Sequence, residues 1–151
     1  MDIGSGKTYP ANALSNFAPH PFVVDGVECN SMEGFLQSLK FKNPEMQKHV
    51  CTLVGKQAKF RGKKKKWYVT QTLWWRGEEI DRHSSQYLRL LVNAYNELAK
   101  NPGFKKALLA TRDSALTHSI GKDDPNRTVL TTQEFCGILM TLRERLKKEK
   151  L

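Results

Sequence analysis

Proline and glycine residues divide this sequence into short segments, and that division limits the folds open to it. Asn43-Pro44, Gly55 and Asn101-Pro102-Gly103 separate stretches whose apolar residues recur at helical spacing. The few strand-like segments do not alternate regularly with the helical ones. We therefore predict an α+β fold in which residues 1–151 form a mainly helical single domain with a short β-hairpin and a few short strands.

A hairpin and a helix are the best-defined elements of the first third of the chain. Asp25-Gly26 supplies the positive φ angles of a type I′ turn between two β-prone triplets, residues 22–24 and 27–29. Ser31 is predicted to cap a helix that extends to about Lys42. Two stripes follow this helix at helical spacing, an apolar one at Met32, Phe35, Leu36 and Leu39 and a polar one at Glu33, Gln37 and Lys40.

The middle of the chain contains a second helix, a basic segment and a strand. The helix begins at Pro44 and ends near Gly55, with Met46 on its buried face. Residues 56–66 are too basic to belong to the core. Residues 67–75 are rich in aromatic and β-branched side chains, which indicates a strand.

Helices follow in the second half of the chain. A long one begins at Ser84 or Ser85 and turns Leu88 inward, and a short one covers residues 104–110. The last helix begins at a capping box, Thr131-x-x-Glu134, and its tail, residues 143–150, is predicted to be a solvated end.

The charge of the chain points to an anionic partner. Its 25 lysines and arginines exceed its 15 aspartates and glutamates, which gives a formal net charge of +10. A phosphorylated metabolite, a dinucleotide or a nucleic acid would each match this charge, and charge alone does not choose among them.

Neither a membrane segment nor a metal site is predicted. The sequence has no apolar run of the length that spans a bilayer, and its N-terminus lacks the apolar core of a secretory signal. Cys29, Cys51 and Cys136 match neither a CxxC nor a zinc-ligand spacing, so we expect reduced, buried thiols in a cytoplasmic protein. Dinucleotide and P-loop motifs are lacking, and no cofactor is expected.

Three segments in order are similar to motifs of the YbiA-like family, also called NADAR. The first is Leu14-Ser15-Asn16-Phe17, followed by the hairpin. The second is the helix at residues 31–41, which resembles the pattern S-x-E-x-x-x-Q-x-x-K-F. The third joins residues 108–119 to Leu139-Met140-x-x-Arg143. The similarity spans roughly residues 12 to 147, so it covers nearly the whole chain.

The resemblance implies an enzyme that cleaves N-glycosidic bonds. Since the sequence has no metal-ligand or cofactor motif, we expect a metal-independent N-glycosyl hydrolase that needs no cofactor. One branch of the family hydrolyses early riboflavin-pathway intermediates, in which a ribose 5-phosphate is attached to an aminopyrimidine. Another branch removes ADP-ribose from guanine in nucleic acid. The implied partner is therefore an anionic small molecule or an ADP-ribosylated substrate, with nucleic acid as a further candidate, and the oligomeric state is left open.

Two positions depart from the family pattern. Where the family has Trp-Gly three residues after an aspartate, this sequence has Asn126-Arg127 after Asp123. The family also places a functional tryptophan just ahead of the long central helix, and no tryptophan aligns there. A third hypothesis follows, in which a non-catalytic basic module binds nucleic acid or a protein partner.

Cleavage of a C–N ribosidic bond needs a carboxylate near the anomeric carbon and a proton for the departing nitrogen. The resemblance assigns this acid/base pair to Glu33 and Asp123. Spacing alone allows plainer roles: Glu33 in the first helical turn would complement the helix dipole, and Asp123 in a polar loop would form a turn. The adjacent Asp124 is an alternative to Asp123.

Five further residues are candidate substrate contacts through the same resemblance. Asn16 and Lys40 would hold the ribose phosphate, with Phe17 beside them, and Gln37 would orient water or sugar hydroxyls. His118 is a candidate general acid because an unperturbed histidine titrates near neutral pH, or it is structural.

A basic run leads into an aromatic residue, as Lys63, Lys64, Lys65 and Lys66 precede Trp67. Cations that follow a phosphate backbone, together with aromatic rings on which bases stack, are typical of single-stranded nucleic-acid binding. The alternative is a solvated loop that aids solubility.

Overall fold

The computed structural model describes residues 1–149, which form six α-helices and two antiparallel hairpins. This arrangement confirms the predicted α+β class. Two short 3₁₀ helices cover Ala11–Leu14 and Trp67–Val69. The other elements are, in chain order, β1 (Phe22–Val24), β2 (Val27–Cys29), α1 (Met32–Ser38), α2 (Pro44–Cys51), α3 (Gly55–Lys63), β3 (Thr72–Trp75), β4 (Glu78–Asp81), α4 (Ser85–Leu98), α5 (Pro102–Ala110) and α6 (Thr132–Glu149).

The first hairpin forms as predicted, whereas the second strand segment is shorter than expected. Asp25 and Gly26 adopt φ angles of 48° and 79°, and Phe22 pairs with Cys29. The strand predicted over residues 67–75 is wrong in its first half. Trp67–Val69 is a 3₁₀ helix, and Gln71 turns the chain at φ 58° before β3 pairs with β4.

Helix α1 begins at the predicted cap and ends earlier than predicted. The Ser31 hydroxyl accepts a hydrogen bond from the Gly34 N–H at 3.0 Å. After Ser38 the chain continues in turns, in which the Leu39 and Lys40 N–H groups donate three residues back. Lys40 therefore still lies on the side of Gln37, although it stands outside the helix.

The basic segment at residues 56–66 is largely helical, which the sequence did not suggest. Ala58 and Gly62 of α3 are buried, and α3 packs on α1. Because these two residues are small, no large apolar side chain marks the buried face in the sequence. The lysines lie on the exposed side.

One cluster of buried apolar side chains joins both hairpins to the helices, with Phe35, Tyr87 and Phe135 among its largest members. Two residues predicted to be buried, Met46 and Leu88, are exposed by 36% and 46%.

The start of the predicted solvated tail is instead part of the packed structure. Arg143 is buried and donates from Nη1 to the Thr111 hydroxyl and to the Ser114 carbonyl, each at 2.8 Å. Within residues 1–149 no helix combines the length and apolarity needed to cross a bilayer.

Gly34 allows the close approach of α1 to the end of α2. A Cβ at this position would lie 2.6 Å from the Leu53 carbonyl oxygen and 3.0 Å from those of Cys51 and Val50. Since backbone cannot move aside as a side-chain end can, we expect Gly34→Ala to lower the free energy of unfolding by about 1–3 kcal/mol. Urea denaturation measures this change.

Gly137→Ala is the matched control, because a Cβ at that position of α6 meets no atom within 4 Å. Alanine is favoured over glycine inside a helix by about 0.5–1 kcal/mol. The control should therefore be neutral or stabilising. Equal destabilisation by both substitutions would contradict the packing account.

Candidate functional site

A cleft of about 330 Å³ lies beside α1. Glu33, Gln37 and Lys40 reach it from α1 and the turn that follows, and Lys59 reaches it from α3. The remaining lining residues are Ser5, Ser15, Asn16, Phe17, Leu36, Trp67, His118, Ile120, Gly121, Lys122, Arg127, Thr128, Val129, Leu130 and Phe135. Six of the seven residues predicted as catalytic or substrate-binding thus lie around one cavity.

Glu33 is the only acidic residue among those that line the cleft within residues 1–149. Its backbone N–H donates to the Asn16 carbonyl at 2.9 Å, and its Oε1 accepts from Gln37 Nε2 at 3.0 Å. Burial raises the pKa of the Glu33 carboxyl, while the Gln37 hydrogen bond and the charges of Lys40 and Lys59 oppose the rise. A carboxyl whose pKa is raised keeps its proton to a higher pH than an ordinary glutamate, so it is better able to donate that proton.

Gln37 is held between Glu33 and α3. Its side chain is 8% exposed, and a Cβ on Gly62 would come within 1.9 Å of its Oε1. Glycine at position 62 therefore lets the amide lie against α3. Gln37 Oε1 accepts no hydrogen bond from residues 1–149, so its amide is fixed through Nε2 toward Glu33. This contact positions the carboxylate.

Asn16 is fixed from behind by a buried tyrosine. The Tyr95 hydroxyl donates to Asn16 Oδ1 at 2.7 Å, and burial raises the pKa of Tyr95 well above its ordinary value, so the phenol keeps its proton. Because Oδ1 is occupied by this bond, the Nδ2 group is the end of the amide left to donate into the cleft.

Among residues 1–149, four cationic side chains line the cleft together with Glu33. They are Lys40, Lys59, Lys122 and Arg127. Lys40 Nζ donates to the Gly62 carbonyl at 3.4 Å, and burial lowers the pKa of Lys40 while Glu33 opposes the fall. The Arg127 guanidinium lies 4.3 Å from the centre of the Tyr68 ring. This arrangement is suited to a phosphate group close to Glu33.

His118 presents one ring nitrogen to the protein. Its Nδ1 lies 2.8 Å from the Ile3 carbonyl oxygen, which requires the proton on Nδ1 and leaves Nε2 as the nitrogen for other contacts. The ring packs edge-on against Phe135, with the ring centres 5.2 Å apart.

Asp123, the second predicted catalytic residue, is exposed and lies outside the cleft lining. Its Oδ1 accepts a hydrogen bond from the Gln133 N–H at 3.0 Å, so the carboxylate satisfies a free donor at the start of α6. Asp124 accepts from the Asn126 N–H at 2.9 Å, which is a turn contact. Neither aspartate stands beside Glu33 as a partner in acid/base chemistry.

The predicted nucleic-acid residues separate into two groups. Lys63, Lys64, Lys65 and Lys66 are exposed and do not line the cleft, whereas Trp67 is only 7% exposed and forms part of its wall. No tryptophan aligned with the functional one of the YbiA-like family, yet Trp67 brings an indole to the cleft from earlier in the chain.

The sequence did not predict three of the cationic residues that line the cleft, Lys59, Lys122 and Arg127. Lys59 belongs to a basic segment without apolar periodicity, so its direction toward the cleft follows only from the packing of α3 on α1. Lys122 and Arg127 lie in the loop before α6, which carries no periodicity. The departure Asn126-Arg127 from the family's Trp-Gly was the one available signal for Arg127.

An internal ion pair holds the loop at residues 127–130, which lines the cleft. Arg82 is 3% exposed and pairs with Glu134 through contacts of 2.8 and 3.2 Å. Arg82 Nε also donates to the Thr128 carbonyl at 3.0 Å, and the Tyr87 hydroxyl donates to the Val129 carbonyl at 2.6 Å. Glu134 completes the predicted capping box with Thr131. Among residues 1–149, no three His, Cys, Asp or Glu side chains are grouped so as to hold a metal ion.

The fold is similar to the NMR structure of the E. coli protein YbiA, with a TM-score of 0.64 and 18% sequence identity over 98% of this chain and 84% of that one. This similarity defines a YbiA-like α+β fold and confirms the predicted resemblance at the level of fold. The family Bacteriophage protein GP30.3 matches residues 8–144. The chain is also 41% identical to the uncharacterized 17.1 kDa protein in the Gp30-rIII intergenic region of Enterobacteria phage T4, over 97% of this chain and 98% of that protein. The chain therefore belongs to the bacteriophage GP30.3 family.

The raised pKa of Glu33 should make the stability of the fold depend on pH. The folded chain keeps a proton on Glu33 that the unfolded chain releases, so the free energy of unfolding falls as pH rises from the ordinary glutamate range through the raised pKa. Glu33→Gln should remove this contribution and be more stable than the wild type above that pKa. Urea denaturation at several pH values measures the difference. The exposed Glu28→Gln serves as control, and parallel pH profiles for wild type and Glu33→Gln would contradict the assignment.

Proposed function

We propose that this chain is an N-glycosidase that hydrolyses the bond between a nucleobase-like amine and a phosphorylated ribose. The observation that carries the proposal is the position of Glu33. Its carboxyl is partly buried, has a raised pKa and accepts a hydrogen bond from Gln37, and among residues 1–149 it is the one acid in a cleft lined by four cationic side chains. The similarity of the sequence to the YbiA-like family supports the same chemistry.

The proposed reaction uses Glu33 twice. In its protonated form it donates its proton to the departing nitrogen as the C–N bond breaks and positive charge develops on the sugar. The resulting carboxylate then accepts a proton from the water whose oxygen bonds to the anomeric carbon. The products are the free amine and the ribose phosphate, and Glu33 regains its proton. These steps require only water and side chains of the cleft.

The other cleft residues have roles in binding the substrate. The cleft cations Lys40, Lys59, Lys122 and Arg127 would bind the phosphate, and the Asn16 amide would donate to a sugar or phosphate oxygen. Phe17 and Trp67 offer apolar walls for a base. Asp123 has no part in the proposed steps, because it lies outside the cleft lining.

The size of the cleft favours a small substrate. Its volume of about 330 Å³ lies at the lower end of the ~300–1,000 Å³ of small-molecule sites. A ribose 5-phosphate joined to an aminopyrimidine, of the riboflavin-intermediate type, is therefore our first candidate. The second candidate is an ADP-ribosyl group on guanine in nucleic acid, and the exposed cations of α3 beside the cleft favour it.

Hydrolysis of the two candidates in parallel tests the proposal and chooses between them. The substrates are the ribosylaminopyrimidine phosphate of riboflavin synthesis and an oligonucleotide that carries ADP-ribosyl guanine. Mass spectrometry follows the products formed by wild type and by Glu33→Gln. We expect turnover of at least one substrate that is lost in the variant. Failure of folded wild type to turn over either one would support the non-catalytic binding module instead.

A further inference from the structure

The segment from Lys56 to Lys66 concentrates positive charge next to the cleft. It contains seven lysines and arginines and no acidic residue. None of these seven side chains forms an ion pair with an acidic group of residues 1–149. Unpaired cations at this density repel one another, so a bound polyanion would stabilise them.

The helical spacing of α3 places several of these cations on the side that faces away from the protein. Ala58 and Gly62 face the protein and are buried. Lys56, Lys59, Phe60 and Lys63 are spaced at i, i+3, i+4 and i+7, which places them along one side of the helix. We call this side the α3 face.

The α3 face carries an aromatic ring among its cations. Phe60 is 59% exposed, and the Lys63 ammonium lies 5.8 Å from the centre of its ring. At one edge of the face Lys59 lines the cleft. The face is thus continuous with the proposed active site.

We propose that the α3 face binds single-stranded nucleic acid. Lysines along one side of a helix can neutralise backbone phosphates, and an exposed ring between them provides a surface on which an unpaired base can stack. In a duplex the bases stack on each other and cannot use Phe60, so a single strand fits the face better. A strand bound here passes the mouth of the cleft at Lys59. Delivery of a modified nucleotide to Glu33 by this route rests on the proposed function, whereas binding itself does not.

Fluorescence anisotropy of a labelled oligothymidylate, titrated with the full chain at several salt concentrations, tests the proposal. The variant Lys56→Glu/Lys63→Glu should raise Kd at least about tenfold and reduce the slope of log Kd against log salt by about 1.4, since single strands contribute about 0.7 per phosphate contact. Phe60→Leu keeps an apolar side chain without a ring and should raise Kd about fivefold or more.

Lys106→Glu/Lys148→Glu is the matched control, because it makes the same change in net charge at exposed lysines of α5 and α6. It should leave Kd close to that of the wild type. Equal weakening by the control would mean that affinity follows net charge, and would overturn the proposal. An unchanged Kd in both α3 variants would also overturn it. So would a duplex of equal length that binds as tightly as the single strand, or preferential binding of anionic vesicles or of an acidic peptide.

Hydrolysis of the small ribosylaminopyrimidine phosphate separates this proposal from the proposed function. Lys56 and Lys63 do not line the cleft, so their double variant should hydrolyse that substrate at the wild-type rate. If Glu33→Gln retained hydrolysis, the proposed function would fail while the binding result stood. If the α3 variants bound the oligonucleotide normally, the α3 face would be excluded while the N-glycosidase remained.

Discussion

Replacing Glu33 by glutamine is expected to lower the rate of N-glycoside hydrolysis by about 10²- to 10⁴-fold, the contribution of one well-placed acid or base. Glutamine has nearly the shape of glutamate and can still contact Gln37, but it can neither donate the proton to the departing nitrogen nor take one from water. The effect should appear in kcat more than in KM, because in the proposed function the phosphate is bound by the cleft cations and not by Glu33. Steady-state kinetics on the substrate identified by mass spectrometry measure both constants.

One control variant and one further variant accompany this prediction. Glu28→Gln makes the same chemical change at an exposed position of β2 and should leave kcat unchanged. Gln37→Glu would place a second carboxylate beside the first and should reduce kcat by disturbing the titration of Glu33. If folded Glu33→Gln kept the wild-type kcat, Glu33 would have no role in the chemical step.

The second large effect is expected from Glu134→Gln, which removes the counter-charge of a buried arginine. Arg82 is 3% exposed and Glu134 is 22% exposed, and two contacts join them. Breaking a buried ion pair by removing one partner costs about 3–5 kcal/mol. Because Glu134 keeps some exposure, we expect a fall of about 3 kcal/mol in the free energy of unfolding, measured by urea denaturation.

The pair of Glu97 and Lys100 supplies the comparison, since Glu97 is 28% exposed, much like Glu134, but its partner Lys100 is 74% exposed where Arg82 is buried. Glu97→Gln should change the free energy of unfolding by no more than about 1 kcal/mol. Glu134→Gln should also loosen the wall at Thr128 and Val129 and raise KM, because Arg82 holds the Thr128 carbonyl. Equal, small changes in stability for the two variants would contradict the assigned role of the internal pair.

Local patterns in the sequence predicted much of the fold because they depend on neighbours along the chain. The turn at Asp25-Gly26, the cap at Ser31 and the capping box of Thr131 and Glu134 each involve contacts within a few residues, and the structure contains all three. The polar stripe of Glu33, Gln37 and Lys40 likewise stays on one side, which brings those residues to the cleft together.

Contacts between distant segments account for what the sequence did not predict. Helix α3 buries only Ala58 and Gly62, so its inner face has no apolar signature. The sequence predicts Arg143 in a solvated tail, yet Arg143 donates to Thr111 and Ser114, which lie far away in the sequence. Asp123 occupied the expected position in its loop, but the direction of its side chain depends on how α6 begins. None of these features has a local cause.

Hydrolysis in ¹⁸O-labelled water tests the central claim most directly. The wild-type chain is incubated with the ribosylaminopyrimidine phosphate, or with the ADP-ribosyl guanine oligonucleotide, and mass spectrometry measures the masses of the products. Our account predicts release of the unlabelled amine and one ¹⁸O atom in the sugar product, with Glu33→Gln forming far less of both. Folded wild-type protein that leaves both substrates intact, or that forms the products equally well without Glu33, would contradict it.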